Sequence, residues 1–238
     1  MSVVFINGGS RGIGRAMVEL FSANGYKVVF SYNNSEQAAL ELAERTGARA
    51  IRADSSSEKD VERVCNILEN EFYGVDILIN NAAVSTFSLF TDLTLEAWRR
   101  TFAVNVDGAF MYCNKLVHSM INQKYGRIIN ISSMWGQVGS SCEVHYSASK
   151  AALIGMTKAL AKELGPSGIT VNCIAPGVIN TDMNSALSET DLAELCIETP
   201  LMKIGEPNDV AETALFLASD KAGFITGAVI NVNGGFVV

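Results

Sequence analysis

The sequence predicts an α/β fold: a doubly wound parallel sheet with helices on both faces. Three observations carry this. Short runs rich in Val, Ile and Phe alternate with longer stretches of helical period along the whole chain. One such run, Val75–Ile79, is mostly apolar rather than alternating with polar residues, as a strand buried on both faces must be. The first run, Ser2–Asn7, passes directly into the turn Gly8-Gly9-Ser10-Arg11-Gly12-Ile13-Gly14, which opens an amphipathic stretch ending near Asn24. Strands that alternate with helices are joined by right-handed crossovers, and their sheet is parallel.

Strand, glycine turn and helix together form the setting in which a dinucleotide pyrophosphate binds. The glycines let the backbone approach the phosphates, and the helix start offers unpaired N–H groups at the positive end of a dipole. Gly8, Ser10, Arg11, Gly12, Ile13 and Gly14 are therefore candidate cofactor contacts; a glycine-rich turn that binds nothing is the alternative. Lys27–Tyr32 is the second strand and leads through Asn33-Asn34-Ser35 into a helix over Glu36–Thr46. An Asp or Glu at the end of that strand would accept hydrogen bonds from the ribose of NAD, but Ser31, Tyr32, Asn33 and Asn34 stand there. With Arg11 available to a 2′-phosphate and Asn33 as a second contact, NADP(H) is favoured over NAD(H). The other reading of Arg11 is a solvated turn residue.

Ala48–Ala53 is the third strand, ending at Asp54, and Ser55-Ser56-Ser57 starts a helix through about Phe72, with Ser57 a candidate cap. Asn80-Asn81-Ala82-Ala83 follows the fourth strand. A long helical region over Thr94–Gln123 encloses Asn105 between valines, and a buried amide there must find partners. Arg127–Ile131 is the fifth strand, with Ser133 just beyond its end. Thirteen residues later Tyr146 and Lys150, four apart in an apolar-periodic run, stack on one helix face. A phenol titrates near pH ~10, and a charge about 4 Å away at an effective dielectric of ~20 is worth roughly 4 kcal/mol, about 3 pKa units. Lys150 is thus expected to bring Tyr146 toward neutrality as an acid or base; a solvated helix face is the bland alternative. Ile169–Ala175 is the sixth strand, closed by Pro176-Gly177. The irregular stretch from Asp182 to Pro207, with Met183, Leu187, Leu192, Leu195 and Met202, reads as a substrate lid. A helix over Pro207–Ser219 and a strand over Val229–Val232 complete the chain.

At 238 residues, 48% hydrophobic and 18% charged, the chain is expected to form one domain over 1–238. The net charge of −7 and the lack of long basic runs argue against nucleic acid and membrane as partners. The start of the chain lacks a secretory pattern and no later segment reaches membrane-spanning length, which predicts a cytoplasmic protein. Five scattered cysteines (Cys65, Cys113, Cys142, Cys173, Cys196) and only two histidines, His118 and His145, read as reduced core residues without a metal site.

The glycine loop, Asp54, Asn80 to Ala83, Asn105, Ser133, Tyr146, Lys150 and Pro176-Gly177 occur in order along nearly the whole chain. This set resembles the short-chain dehydrogenase/reductase family. Within it the likeness is greatest to the bacterial 3-oxoacyl-[acyl-carrier-protein] reductases, through G-S-R-G-I-G, G-R-I-I-N-I-S-S, Y-S-A-S-K-A and the ending N-V-N-G-G-F. The resemblance implies a single-domain Rossmann-like sheet of seven strands in the order 3-2-1-4-5-6-7, a homotetramer, and a place in fatty acid biosynthesis. It implies Asn105, Ser133, Tyr146 and Lys150 as catalytic residues: hydride passes from the nicotinamide to a ketone carbon, Tyr146 protonates the oxygen, Ser133 holds it, Lys150 also binds the nicotinamide ribose, and Asn105 disturbs its helix and holds a water. It further implies cofactor contacts at Asp54 (adenine), Asn81, Pro176, Gly177, and Ile179 and Thr181 (carboxamide). Three positions depart from the pattern. Ala83 replaces a glycine, so that turn needs no positive φ; Ser167 stands where an arginine is common, with Lys124 one candidate for a basic residue beside the mouth; and Glu143, three residues before Tyr146, is a candidate to line the pocket. A free small-molecule ketone, or an alcohol, sugar or hydroxysteroid substrate, is the alternative to a carrier-bound one, and a non-catalytic nucleotide-binding protein is the alternative from another class.

Overall fold

The computed structural model describes residues 1–184 and 188–238. In chain order it comprises β1 (Val3–Asn7), α1 (Gly12–Ala23), β2 (Lys27–Tyr32), α2 (Glu36–Thr46), β3 (Arg49–Arg52), α3 (Glu58–Phe72), β4 (Ile77–Asn80), α4 (Leu95–Phe102), α5 (Gly108–Gln123), β5 (Gly126–Ile131), α6 (Trp135–Val138), α7 (Val144–Leu164), β6 (Ile169–Pro176), α8 (Glu189–Glu198), α9 (Pro207–Ala218) and β7 (Val229–Val232). The seven strands form one sheet, ordered β3-β2-β1-β4-β5-β6-β7, and every pairing is parallel. Fold class and strand order are those expected.

Alternation along each strand sorts its side chains between two cores. Val4 and Ile6, with Val28, Phe30, Ile77 and Ile79, pack against Met17, Val18 and Phe21 of α1 and Val210, Ala214 and Leu217 of α9. Phe5, Val29, Leu78, Ile128 and Val171 face Val61, Val64 and Leu68 of α3, Leu116 and Met120 of α5, and Leu164 of α7. Each larger side chain buried this fully contributes about 1.5–3 kcal/mol. A strand with no solvent face has no use for polar alternation.

On the second face the apolar rows give way to polar residues at the carboxyl ends of the strands. Asn7, Asn80 and Asn130 are register partners across β1, β4 and β5. Asn7 Oδ1 accepts from Ser31 Oγ at 2.9 Å and Ser55 Oγ at 2.8 Å. Asn80 Nδ2 donates to Asn130 Oδ1, and Asn130 Nδ2 to Thr157 Oγ1 of α7, both at 2.8 Å. This row lies under the crevice where the strand order reverses between β1 and β4, the place at which open α/β sheets bind ligands.

The long helix expected over Thr94–Gln123 is divided. A π-helical turn, Ala103–Asp107, separates α4 from α5 and contains Asn105. Its amide explains the extra residue in the turn: Oδ1 accepts from Val84 N at 2.8 Å and Nδ2 donates to Val84 O and Ser149 Oγ, both at 3.0 Å. The expected lid holds a short turn at Asp182–Asn184 and α8, and none of α8 is buried; Leu187 lies outside the described residues. Among the described residues no helix is long and apolar enough to cross a membrane.

Candidate active site

The glycine loop is shaped by close approach. Gly8 (φ +78°) and Gly12 (φ +51°) occupy conformations that side chains disfavour, and a Cβ on Gly14 would lie 2.0 Å from Gly8 O. Gly8 N is fixed by Ser31 Oγ at 3.1 Å and Gly8 O by Asn81 Nδ2 at 2.7 Å. Asn81 thus acts on the loop itself. No side chain caps the first turn of α1, so its N–H groups remain available to phosphate oxygens. Ser10 is buried, and Ile13 turns its side chain into the core beneath. These residues fit a dinucleotide pyrophosphate.

Thr181 reaches over this loop: a Cβ on Gly12 would meet Thr181 Cγ2 at 3.1 Å. Ile179 is buried in the first core, and its carbonyl accepts from Asn184 Nδ2 at 2.7 Å. Gly177 is held by packing, since a Cβ there would lie 2.8 Å from Asn233 Cα, while Pro176 O accepts from Met134 N at 2.9 Å. Ala83 adopts no positive φ, as expected.

At the far end, Asn33 and Asp54 line one cavity of about 510 Å³ together with Arg52, Asp60 and Arg63. The sequence reading missed both arginines, although Arg52 is the last residue of β3 and the register partner of Tyr32. Asp54 Oδ1 accepts from Ser56 N and Ser56 Oγ, and Oδ2 from Arg100 Nη2 at 3.1 Å. Burial pushes this carboxyl up, but the Ser56 and Arg100 contacts together outweigh it and hold the pKa below the ordinary value. Asp54 therefore forms a turn and an ion pair as well as facing the cavity. Arg11 pairs with Asp182 at 3.7 Å on the surface, both side chains being exposed.

Ser133, Tyr146, Lys150 and Asn105 are all buried around the carboxyl end of β5 and the first turns of α7. Lys150 Nζ stands 5.5 Å from the centre of the Tyr146 ring and donates to Ile131 O at 2.8 Å. Ser133 Oγ accepts from Trp135 N at 3.1 Å. Burial first, and then the charge of Glu143, push the Tyr146 pKa up, while the Ser133 hydroxyl acts in the opposite sense. Desolvation also lowers Lys150 to about 8.

Lys124, a candidate for the mouth, does not lie there. It lies just before β5, with its carbonyl against Gly168 just before β6, whereas Ser133 follows the other end of β5. The strand's six residues span roughly 20 Å. Lys124 is not beside the mouth of its own chain. Glu143 is: it is buried, and Ser85 Oγ donates to its Oε1 at 2.5 Å. Ser85, Thr86 and His145, whose Nε2 lies 2.9 Å from Thr86 Oγ1, were not legible in the sequence as site residues, because only the fold brings the loop after β4 against α7.

The family model described as enoyl-(acyl carrier protein) reductase matches residues 8–237. The 3-oxoacyl-[acyl-carrier-protein] reductase FabG of Aquifex aeolicus is 40% identical over 238 residues, covering 98% of this chain and 96% of that one. An acetoacetyl-CoA reductase of Shinella zoogloeoides is 41% identical over 235 residues, covering 98% and 97%. Among solved structures, a blue fluorescent protein from a metagenomic library in complex with NADPH has a TM-score of 0.94 at 37% identity, covering 100% of this chain and 98% of that one. A short-chain dehydrogenase/reductase mutant from Serratia marcescens has a TM-score of 0.93 at 34% identity, covering 100% and 98%. These matches extend over nearly the full length, and the chain is an oxidoreductase that belongs to the short-chain dehydrogenase/reductase family.

Proposed function

We propose that this protein reduces a 3-oxoacyl thioester, carried on acyl carrier protein or coenzyme A, to the 3-hydroxyacyl thioester with NADP(H). The observation that carries this is the burial of Tyr146, Ser133 and Lys150 together beside the crevice that the glycine loop opens. The 3-oxoacyl-carrier and acetoacetyl-CoA reductases among its relatives support the substrate class, and the NADPH-bound structural relative supports the cofactor.

When bound, NADPH supplies the hydride. Gly8, Ser10, Gly12, Ile13 and Gly14 would hold its pyrophosphate, Asn81 by fixing Gly8; Arg11 and Asn33 would meet its 2′-phosphate and Asp54 its adenine; and Pro176, Gly177, Ile179 and Thr181 would hold the nicotinamide end. Tyr146 gives its proton to the ketone oxygen, and Ser133 Oγ donates a hydrogen bond to the same atom. Lys150 places a positive charge beneath the phenol and stabilises the phenolate left behind. Asn105 pins the loop after β4 through Val84 and so positions the wall facing Tyr146. We further propose one domain over 1–238, with 182–207 as its cover, a homotetramer, and a cytoplasmic location.

Glu143 favours a second reading, in which the ketone is a free small molecule: an acid at the mouth disfavours an acidic carrier. Assays with carrier-linked acetoacetyl groups, acetoacetyl-CoA and free ketones separate the two. Turnover of free ketones alone would overturn the thioester reading.

A further inference from the structure

Burying a carboxylate is costly unless a cation or several hydrogen bonds compensate it. Glu143 is 6% exposed and has one such bond, from Ser85 Oγ at 2.5 Å, a length typical of a hydroxyl donating to an ionised oxygen. Among the described residues no Lys, Arg or His nitrogen lies within 4.0 Å of it. The usual structural role of an acid at a helix start is also unused, because Glu143 precedes α7 but its side chain caps none of that helix's N–H groups. Oε2 has no hydrogen-bond partner among the described residues. Nor is it one of the side-chain atoms sealed from solvent without a partner, which are Asn80 Oδ1, Tyr112 Oη, Arg127 Nε and His145 Nδ1. An acceptor oxygen thus remains open in the wall beside Tyr146.

That oxygen is held in place. Ser85 follows Val84, whose N–H and C=O are both bound by Asn105, and Thr86 is joined to His145. Ser88 N donates to Cys142 O at 2.9 Å. The loop that carries Ser85 is therefore fixed to the helices on either side, and the carboxylate is preorganised rather than free to swing into solvent.

Resting on the reading of the site as a ketone reductase, we propose that Glu143 is a specificity-determining residue: Oε2 accepts a hydrogen bond from a hydroxyl or ammonium group next to the substrate carbonyl. A substrate with a plain alkyl group there covers Oε2 without pairing it, and a buried unpaired acceptor is penalised more than a made bond is rewarded. The site consequently takes 3-oxo compounds bearing such a donor ahead of simple alkyl ones.

Hydroxyacetone, aminoacetone and 2-butanone test this, being the same methyl ketone with –OH, –NH₃⁺ or –CH₃ at one position. The ratio of kcat/KM for hydroxyacetone over 2-butanone is expected to fall at least about tenfold in Glu143→Leu. Glu143→Gln, which keeps an acceptor and the Ser85 contact, should retain the preference for hydroxyacetone and lose that for aminoacetone; it also guards against a folding failure of the leucine variant. Saturation-transfer NMR of hydroxyacetone and 2-butanone on the NADP⁺-loaded protein gives the same comparison without turnover. An equal preference in wild type and both variants, by rate or by NMR, overturns the assignment. Absence of NADPH consumption by the wild type with any ketone or thioester would instead strike the ketoreductase reading, and the NMR comparison would still decide the role of Glu143.

Discussion

Tyr146 and Lys150 were legible from their spacing, but their energetics were not. A four-residue interval predicts that the two share a helix face, and it says nothing about how much water the fold removes from them. Burial raises the phenol and lowers Lys150 to about 8. Tyr146→Phe should lower turnover at least about a hundredfold while leaving NADPH binding, followed by fluorescence, intact. Lys150 is charged below its pKa and neutral above it; kcat/KM for reduction should therefore decline as pH rises through about 8. A profile flat to pH 10 would contradict the need for that charge. Stability moves in the other direction. Between about 8 and the ordinary value of 10.5 the unfolded chain binds more protons at this lysine than the folded one, and its contribution to stability increases with pH across that window. Glu143 was visible as an unusual acid, whereas its partner Ser85 was not, since the two are 58 residues apart.

At the level of elements, the glycine turn and the strands were readable because each has a local cause. A turn with Gly8 at φ +78° needs glycine, and a strand buried on both faces is an apolar run. The ends of β3 and β4 differ from the expected bounds by one or two residues, where pairing with the neighbouring strands rather than composition decides. The break between α4 and α5 depends on a bond from Asn105 to Val84, 21 residues away, and the local helical period gives no sign of it. Gly14→Ala should cost about 1–3 kcal/mol in urea unfolding and abolish NADPH binding, because its Cβ has no room beside Gly8 O. Asn130→Leu removes one hydrogen bond from each of Asn80 and Thr157, which keep Cys113 Sγ and Leu153 O. Denaturation should show a loss of about 1–3 kcal/mol. An unchanged midpoint would mean that the amide row contributes nothing to stability.

At the scale of the whole molecule, the strand order came from resemblance and not from local pattern, because nothing along a strand names its neighbour. The sheet's polarity then separates functions that the sequence placed together. Lys124 and the turn at Ser167 and Gly168 lie at the amino ends of β5 and β6, and Ser133 at the other end of β5. The small residues of α7 split similarly: Gly155 and Ala159 are exposed, and a Cβ on Gly155 would meet nothing. That face is open to another helix, and Gly155→Trp should shift the proposed tetramer toward smaller species in light scattering; a monomeric wild type would contradict the assembly. The central claim is ketone reduction by NADPH at Tyr146, and its most direct test is NADPH consumption with acetoacetyl-carrier protein, acetoacetyl-CoA and free ketones, in wild type and Tyr146→Phe. The account predicts turnover of the thioesters by the wild type, faster with NADPH than with NADH, and loss of that turnover in the variant. No consumption with any ketone, or equal rates in the two proteins, would contradict it.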